Sequence, residues 1–222
     1  LMPINRARAG PGFRAALGII HDVMPMQRIN FPSGMSVYDW TVPNEWTVRS
    51  SYIIGPDGKK RANVADHDLH LMSYSTPFRG RMSLNELQPH LYSLPDRPDA
   101  IPYMTSYYEP RWGFCLTHRE AEALPHGEYD VGVDTELTHG YLVVGEATLP
   151  GESTDEVLFT SYLCHPGCLA QNETTGPVVL ANLYRAIAAW PKRRLTYRFV
   201  INPETIGSLC YLHYRMYGGG AP

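Results

Sequence analysis

His165 and Glu204 are the residues of this chain best placed to do chemistry, because each closes an apolar run. The first run is Glu156-Val-Leu-Phe-Thr-Ser-Tyr-Leu-Cys-His165. The second, Leu195-Thr-Tyr-Arg-Phe-Val-Ile201, leads into Asn202-Pro-Glu204-Thr-Ile-Gly207-Ser208. After His165 comes Gln171-Asn-Glu173-Thr-Thr-Gly176, a stretch rich in side-chain oxygen that opens into a helical pattern. In open α/β sheets ligands collect just past the carboxyl ends of the strands, so His165, Asn172 and Glu173 stand where a metal or substrate is held. A His and a Glu on successive strand ends suggest a hydrolytic zinc site with Glu204 as general base. Each residue also has an ordinary explanation when taken singly. His165 reads as a hydrogen-bonded core histidine, and Glu204 as an acid favoured by the dipole at a helix N-terminus.

The elements that must carry these residues follow from periodicity. Phe13, Leu17, Ile20 and Val23 recur at helical spacing and Pro25 stops the run, which predicts a first helix over Gly12–Val23. From about Asn30 to about His126 the chain is crowded with Pro, Tyr and Trp and lacks helical periodicity. Thr47–Ile54, bounded by Gly55-Pro-Asp-Gly58, reads as a strand and a turn, and Ser83 with Glu86 has capping-box spacing for one short helix. From Glu128 the pattern becomes strand Tyr129–Asp134, strand Tyr141–Leu149, strand Val157–Cys164, helix Gly176–Ala189 and strand Leu195–Ile201. The order predicts an α/β sandwich core over residues 1–29 and 128–222, with a β-rich subdomain, residues 30–127, inserted after the first helix. Gly218-Gly-Gly-Ala-Pro222 reads as a flexible end.

Charge and length exclude several classes. The 222 residues carry 19 basic and 22 acidic side chains, a formal charge of −3, and 44% hydrophobic residues. That supports one sizeable core or two small ones, gives no basic field for nucleic acid and provides no polybasic membrane patch. No apolar run is long enough to span a bilayer, and Leu1–Arg6 lacks the features of a signal peptide, so a cytoplasmic location is expected. The cysteines Cys115, Cys164, Cys168 and Cys210 are expected as reduced thiols, since a core of this size needs no staples. Cys164 and His165 are adjacent on a predicted strand, so they are expected on opposite faces, with Cys164 a small buried hydrophobe.

Several long segments carry a family resemblance. They are His165, Ala170-Gln-Asn-Glu-Thr-Thr-Gly176 and Pro203-Glu-Thr-Ile-Gly-Ser208. They also include Gly34-x-x-Val37-Tyr38-Asp39-Trp40, Leu69-His70-x-x-x-Tyr74-Ser75-x-Pro77, Leu84-x-Glu86-Leu87-x-Pro89-His90 and Thr105-Ser-Tyr-Tyr108-x-x-Arg111-Trp112-Gly113-Phe114-Cys115. Across almost its whole length the chain resembles a bacterial family labelled a domain of unknown function (DUF4910/DUF2172 type), zinc-aminopeptidase-like and related to the M28 peptidases. The resemblance implies an aminopeptidase-like α/β/α sandwich, bound zinc and hydrolysis of an amide bond in a small peptide or amino-acid-like substrate. With that framework, the catalytic reading of His165 and Glu204 together outweighs the two ordinary ones.

The sequence also departs from the two-metal M28 pattern. Asn172 stands where those peptidases place a metal-bridging aspartate, with Glu173 beside it, and Thr205 stands where they place a second glutamate after the base. One zinc ion is therefore expected, held by His165 and by an oxygen of Glu173 or Asn172, although Glu173 also suits a cap on the following helix. Family members continue with acidic and histidine residues that complete the site, while this sequence reaches Pro222 with His213 as its one further candidate. Weak zinc binding and pairing with a second chain, or self-association, are the expectations. Arg111 and Tyr108 are candidate substrate-binding residues, since Arg111 suits bidentate capture of a carboxylate. The reading from a different class is a non-catalytic binding or assembly module with an incomplete metal site.

Overall fold

The structure, a computed structural model, describes residues 1–2, 4–106 and 109–218. Tyr108 and the part of the predicted flexible end from Gly219 to Pro222 lie outside the described residues. The chain divides into two compact units, residues 1–45 with 138–222, and residues 46–137.

The first unit is a three-layer α/β/α sandwich. Its elements in chain order are α1 (Pro11–His21), β1 (Gln27–Pro32), β2 (Tyr141–Leu149), β3 (Glu156–Tyr162), α2 (Thr175–Ala188), β4 (Thr196–Asn202) and α3 (Ile206–Tyr217). The sheet runs β1-β2-β4-β3. β2 is antiparallel to both β1 and β4, while β3 and β4 are parallel and joined through α2. Period-two alternation sorts the core into two faces. Val143, Ala147, Phe199 and Ile201 pack with Phe13, Leu17 and Ile20 of α1 and Leu180 of α2. Leu142, Val144 and Val200 face Ile206, Cys210 and Tyr211 of α3. At the first turn of α2, a Cβ on Gly176 would stand 2.3 Å from Ser161 Oγ, so glycine lets that helix settle on β3.

Two expectations are corrected. α1 ends at His21, leaving Val23 40% exposed while Met24 is fully buried, because Met24 N–H bonds back to Ile20 O and turns the chain under the helix. α3 was expected only as the helix whose N-terminus Glu204 would occupy in its ordinary reading, without bounds. Its apolar residues fall on more than one side, with Cys210 and Tyr211 buried but Leu212 and Met216 exposed, so no single apolar stripe marks it.

The second unit holds a four-stranded sheet in the order Lys60–Arg61, Glu45–Ile54, Glu128–Thr138, Phe78–Ser83. The capping box at Ser83 and Glu86 is present and starts a short helix, Leu84–Leu87. Its core gathers Trp46, Ile53, Met72, Leu87, Phe114 and Tyr129, with Trp46 Nε1 donating to Ser75 O at 3.0 Å. His70 is packed, its ring nitrogen 2.8 Å from Cys115 O, and His67 caps the short turn that follows it through Leu69 N. None of the four cysteines forms a disulfide. Among the described residues no helix is long and apolar enough to cross a membrane.

Phe199 is fully buried at the centre of β4, its ring 5.2 Å from Phe159 and 5.3 Å from Tyr184. Phe199→Ala is expected to lower stability by about 3–5 kcal/mol, read as a shift in the urea unfolding midpoint with an unchanged slope.

Candidate metal centre

The parallel register sets Tyr162 level with Asn202, and Leu163 N–H extends the ladder to Asn202 O at 3.1 Å. The two chains therefore leave the sheet side by side, one toward His165 and the other toward Glu204. Across this gap His165 Nε2 faces Glu204 Oε2 at 3.6 Å. His165 is 5% exposed, whereas the Glu204 side chain is 41% exposed and open to solvent.

Glu173 stands behind the histidine with no exposed surface. One carboxylate oxygen bonds His165 Nδ1, and the other accepts the Cys164 N–H at 2.5 Å. Arg6, also fully buried, brings its Nε to 3.7 Å from the same carboxylate and anchors itself on the carbonyls of Leu1, Ile4 and Pro166. The buried carboxylate fixes the ring's orientation through Nδ1, so Nε2 is the nitrogen turned toward Glu204. The placement of Glu173 comes from a π-helical turn over Ala170–Thr174, one wide turn that leads into α2. Its side chain is thereby drawn inward rather than to the first N–H groups of the helix. Asn172, in the same turn, is exposed and accepts the Tyr162 hydroxyl at 2.7 Å.

Cys164 corrects an expectation. β3 ends at Tyr162, so strand alternation no longer governs residues 164 and 165, and the thiol stands beside the imidazole, Sγ to Nδ1 3.8 Å. It also accepts the Glu204 N–H at 3.3 Å. Burial, reinforced by the Glu173 charge and opposed by the Glu204 N–H and the Arg8 guanidinium, pushes the thiol up to about 12. Burial and the charges of Glu204 and Glu173 likewise raise the Tyr162 phenol. Donor atoms of Cys164, His165 and Glu204 lie within 4.8 Å of one another. A thiol, an imidazole and a carboxylate are a donor set suited to zinc.

The remaining predicted residues lie elsewhere. His213 is 1% exposed on α3 and packs against Tyr38 and Tyr217, with ring centroids at 5.8 and 4.9 Å. Arg111 belongs to the second unit, its side chain 45% exposed, with Nη2 3.4 Å from Thr105 O and Nη1 4.0 Å from Glu109. Sequence reasoning missed Arg6, Arg8 and Tyr162. Both arginines are buried, at 0% and 6% exposure, in a short N-terminal segment whose sequence has no periodicity to announce it.

A three-layer α/β/α sandwich with a metal-type donor cluster at adjacent strand ends is an aminopeptidase-like fold. The chain belongs to the family designated Domain of unknown function (DUF4910), which matches residues 1–217. It is 38% identical over 212 residues to a Clostridium acetobutylicum protein named for polysaccharide biosynthesis with an aminopeptidase-like domain, covering 96% of this chain and 48% of that protein. It is also similar to the crystal structure of a C. acetobutylicum protein named as a peptidase. There the identity is 37% and the TM-score 0.93, over 97% of this chain and 50% of the other. The chain thus spans about half the length of these relatives. A zinc aminopeptidase from Bacillus subtilis shares the fold at 11% identity, with a TM-score of 0.60 over 94% of this chain and 60% of the other.

Glu173→Ala is expected to cost about 3–5 kcal/mol, because it leaves the Arg6 guanidinium buried without its carboxylate. Chemical denaturation of the variant beside Glu173→Gln, which keeps the hydrogen-bonding shape, is the measurement. The glutamine variant should lose less.

Proposed function

We propose that the strand-end cluster binds a single zinc ion and that the protein hydrolyses an amide bond in a small peptide or amino-acid-like substrate, as an aminopeptidase or related amidohydrolase of M28 kinship. The observation that carries this is the pairing of His165 Nε2 with Glu204 at 3.6 Å, the far nitrogen of the imidazole being fixed by buried Glu173. The names of the C. acetobutylicum relatives and the shared fold of the B. subtilis enzyme support the same reading.

His165 would hold the ion through Nε2, beside Cys164 Sγ and the Glu204 carboxylate; Glu173 bonds the other ring nitrogen and Asn172 the Tyr162 hydroxyl, so their oxygens would reach the ion only by leaving those partners. When bound, such an ion supplies a water of lowered pKa and polarises the scissile carbonyl. The chain's own contribution is positional. Glu173 holds the His165 orientation, Arg6 balances the buried negative charge, and Glu204 presents a solvent-open carboxylate that can take a proton from water. Arg111 and Tyr108 are kept as candidate substrate-binding residues on residue type alone, a guanidinium being suited to a carboxylate.

Two substitutions test the roles separately. His165→Ala should abolish stoichiometric zinc in the purified, folded protein, and an unchanged metal content measured by mass spectrometry would remove His165 from the site. Glu204→Gln keeps size and shape but not the proton acceptor. Turnover of aminoacyl chromogenic amides should fall by about two to four orders of magnitude with zinc retained. Near wild-type turnover would reject the base, and a folded wild-type protein that takes up no zinc would favour the non-catalytic module.

A further inference from the structure

Thr205 occupies a backbone conformation that its side chain opposes. Its φ is 59° and its ψ −76°, and the Ile206 N–H bonds back to Glu204 O at 2.7 Å. This is a γ-turn of the positive-φ kind, which is rare and strained, and a β-branched residue there is a genuine outlier. The residue that enters the strained turn is Glu204. Strain of this sort persists only where surrounding contacts over-determine it.

Those contacts are all present. Asn202, 2% exposed at the end of β4, donates through Nδ2 to Pro203 O at 2.8 Å and is 2.9 Å from Ser208 Oγ, so one amide clamps both sides of the turn. Its Oδ1 accepts from Thr160 Oγ1 of β3 at 3.1 Å, which ties the clamp to the strand that delivers His165. Cys164 Sγ, on the other strand end, receives the Glu204 N–H. A Cβ on Gly207 would fall 2.6 Å from Pro203 Cδ, so glycine admits the tight packing of the turn on α3. Every group that could relax the backbone of Glu204 is thus fastened to β3, β4 or α3.

We propose that Asn202 and Thr205 are positioning residues that hold the Glu204 carboxylate against His165, with the strain at Thr205 retained for that purpose. The proposal rests on the reading of Glu204 and His165 as the working pair of a metal site. A merely structural turn would be improved by a residue that tolerates positive φ. A turn kept for function would be improved in stability and impaired in its task.

The test uses the full chain with Thr205→Gly, which accepts positive φ without strain, and Asn202→Asp, which keeps Oδ1 but removes both amide donors. For Thr205→Gly we expect a thermal midpoint raised by about 2–4 °C, turnover of aminoacyl chromogenic amides lowered about tenfold with zinc content unchanged, and the Glu204 and Ile206 amides exchanging at least tenfold faster. Asn202→Asp should show the same loss of turnover and amide protection without the gain in midpoint. A Thr205→Gly protein with wild-type turnover and wild-type amide protection would overturn the proposal, whatever its midpoint. Should the wild-type protein bind no zinc, the metal reading falls on its own. The amide exchange still decides whether Asn202 and Thr205 hold Glu204.

Discussion

A single buried charge organises this site. The Glu173 carboxylate has no exposed surface, and an unpaired carboxylate taken from water into a protein interior costs several kcal/mol. It is tolerated because His165, the Cys164 N–H and Arg6 converge on its two oxygens. Arg6 in turn is held by three backbone carbonyls, two from the N-terminal segment and one from Pro166. The N-terminal residues, the end of β3 and the start of α2 are therefore bound into one electrostatic unit. Moving any of them exposes a charge that the others cannot satisfy.

The second organising constraint is the parallel pairing of β3 and β4. Parallel strands joined through a helix end on the same edge of the sheet, which is why residues 39 positions apart, His165 and Glu204, meet at all. Once each chain leaves the ladder, alternation lapses, so neighbours such as Cys164 and His165 can share a site that a strand would have split between faces. The solvent-open Glu204 and the sealed Glu173 show how the two sides of one imidazole can serve different ends. The buried carboxylate on one side orients the ring, and the accessible one on the other is open to water.

Much of the core was legible because it is written in local periodicity. The strand Tyr141–Leu149 agrees at both ends with the expected one, and α2 and β4 begin and end within about a residue of expectation. The strand ends that bring His165 and Glu204 together were readable for the same reason. α3 was not, because Leu212 and Met216 are apolar yet exposed and blur the stripe that would have announced it. Arg6 was invisible for a different reason. A buried ion pair is a property of two distant segments, and neither Leu1–Gly10 nor Gln171–Thr175 carries a pattern naming the other. Cys164 was misplaced by carrying strand geometry two residues past the end of the strand. The γ-turn at Thr205 could not be foreseen, since nothing in Pro-Glu-Thr-Ile distinguishes a strained threonine from an ordinary one.

The strand order also sets a timetable. β1 and β2 pair antiparallel, register Pro32↔Tyr141, yet the whole second unit lies between them in the chain. The Glu45 carboxylate that accepts the Tyr141 N–H, and that Arg14 grips from α1, reaches across 96 positions to do so. Closing a loop of that length from an unfolded chain costs about 3 kcal/mol more than closing a four-residue hairpin. If the second unit folds first, its own sheet draws the strand that begins at Glu45 and the strand that ends at Thr138 together, and the long loop shrinks to a short one. Completion of the first sheet, and with it the meeting of strand ends that defines the site, is then kinetically downstream of a fold that contributes none of the clustered donor atoms.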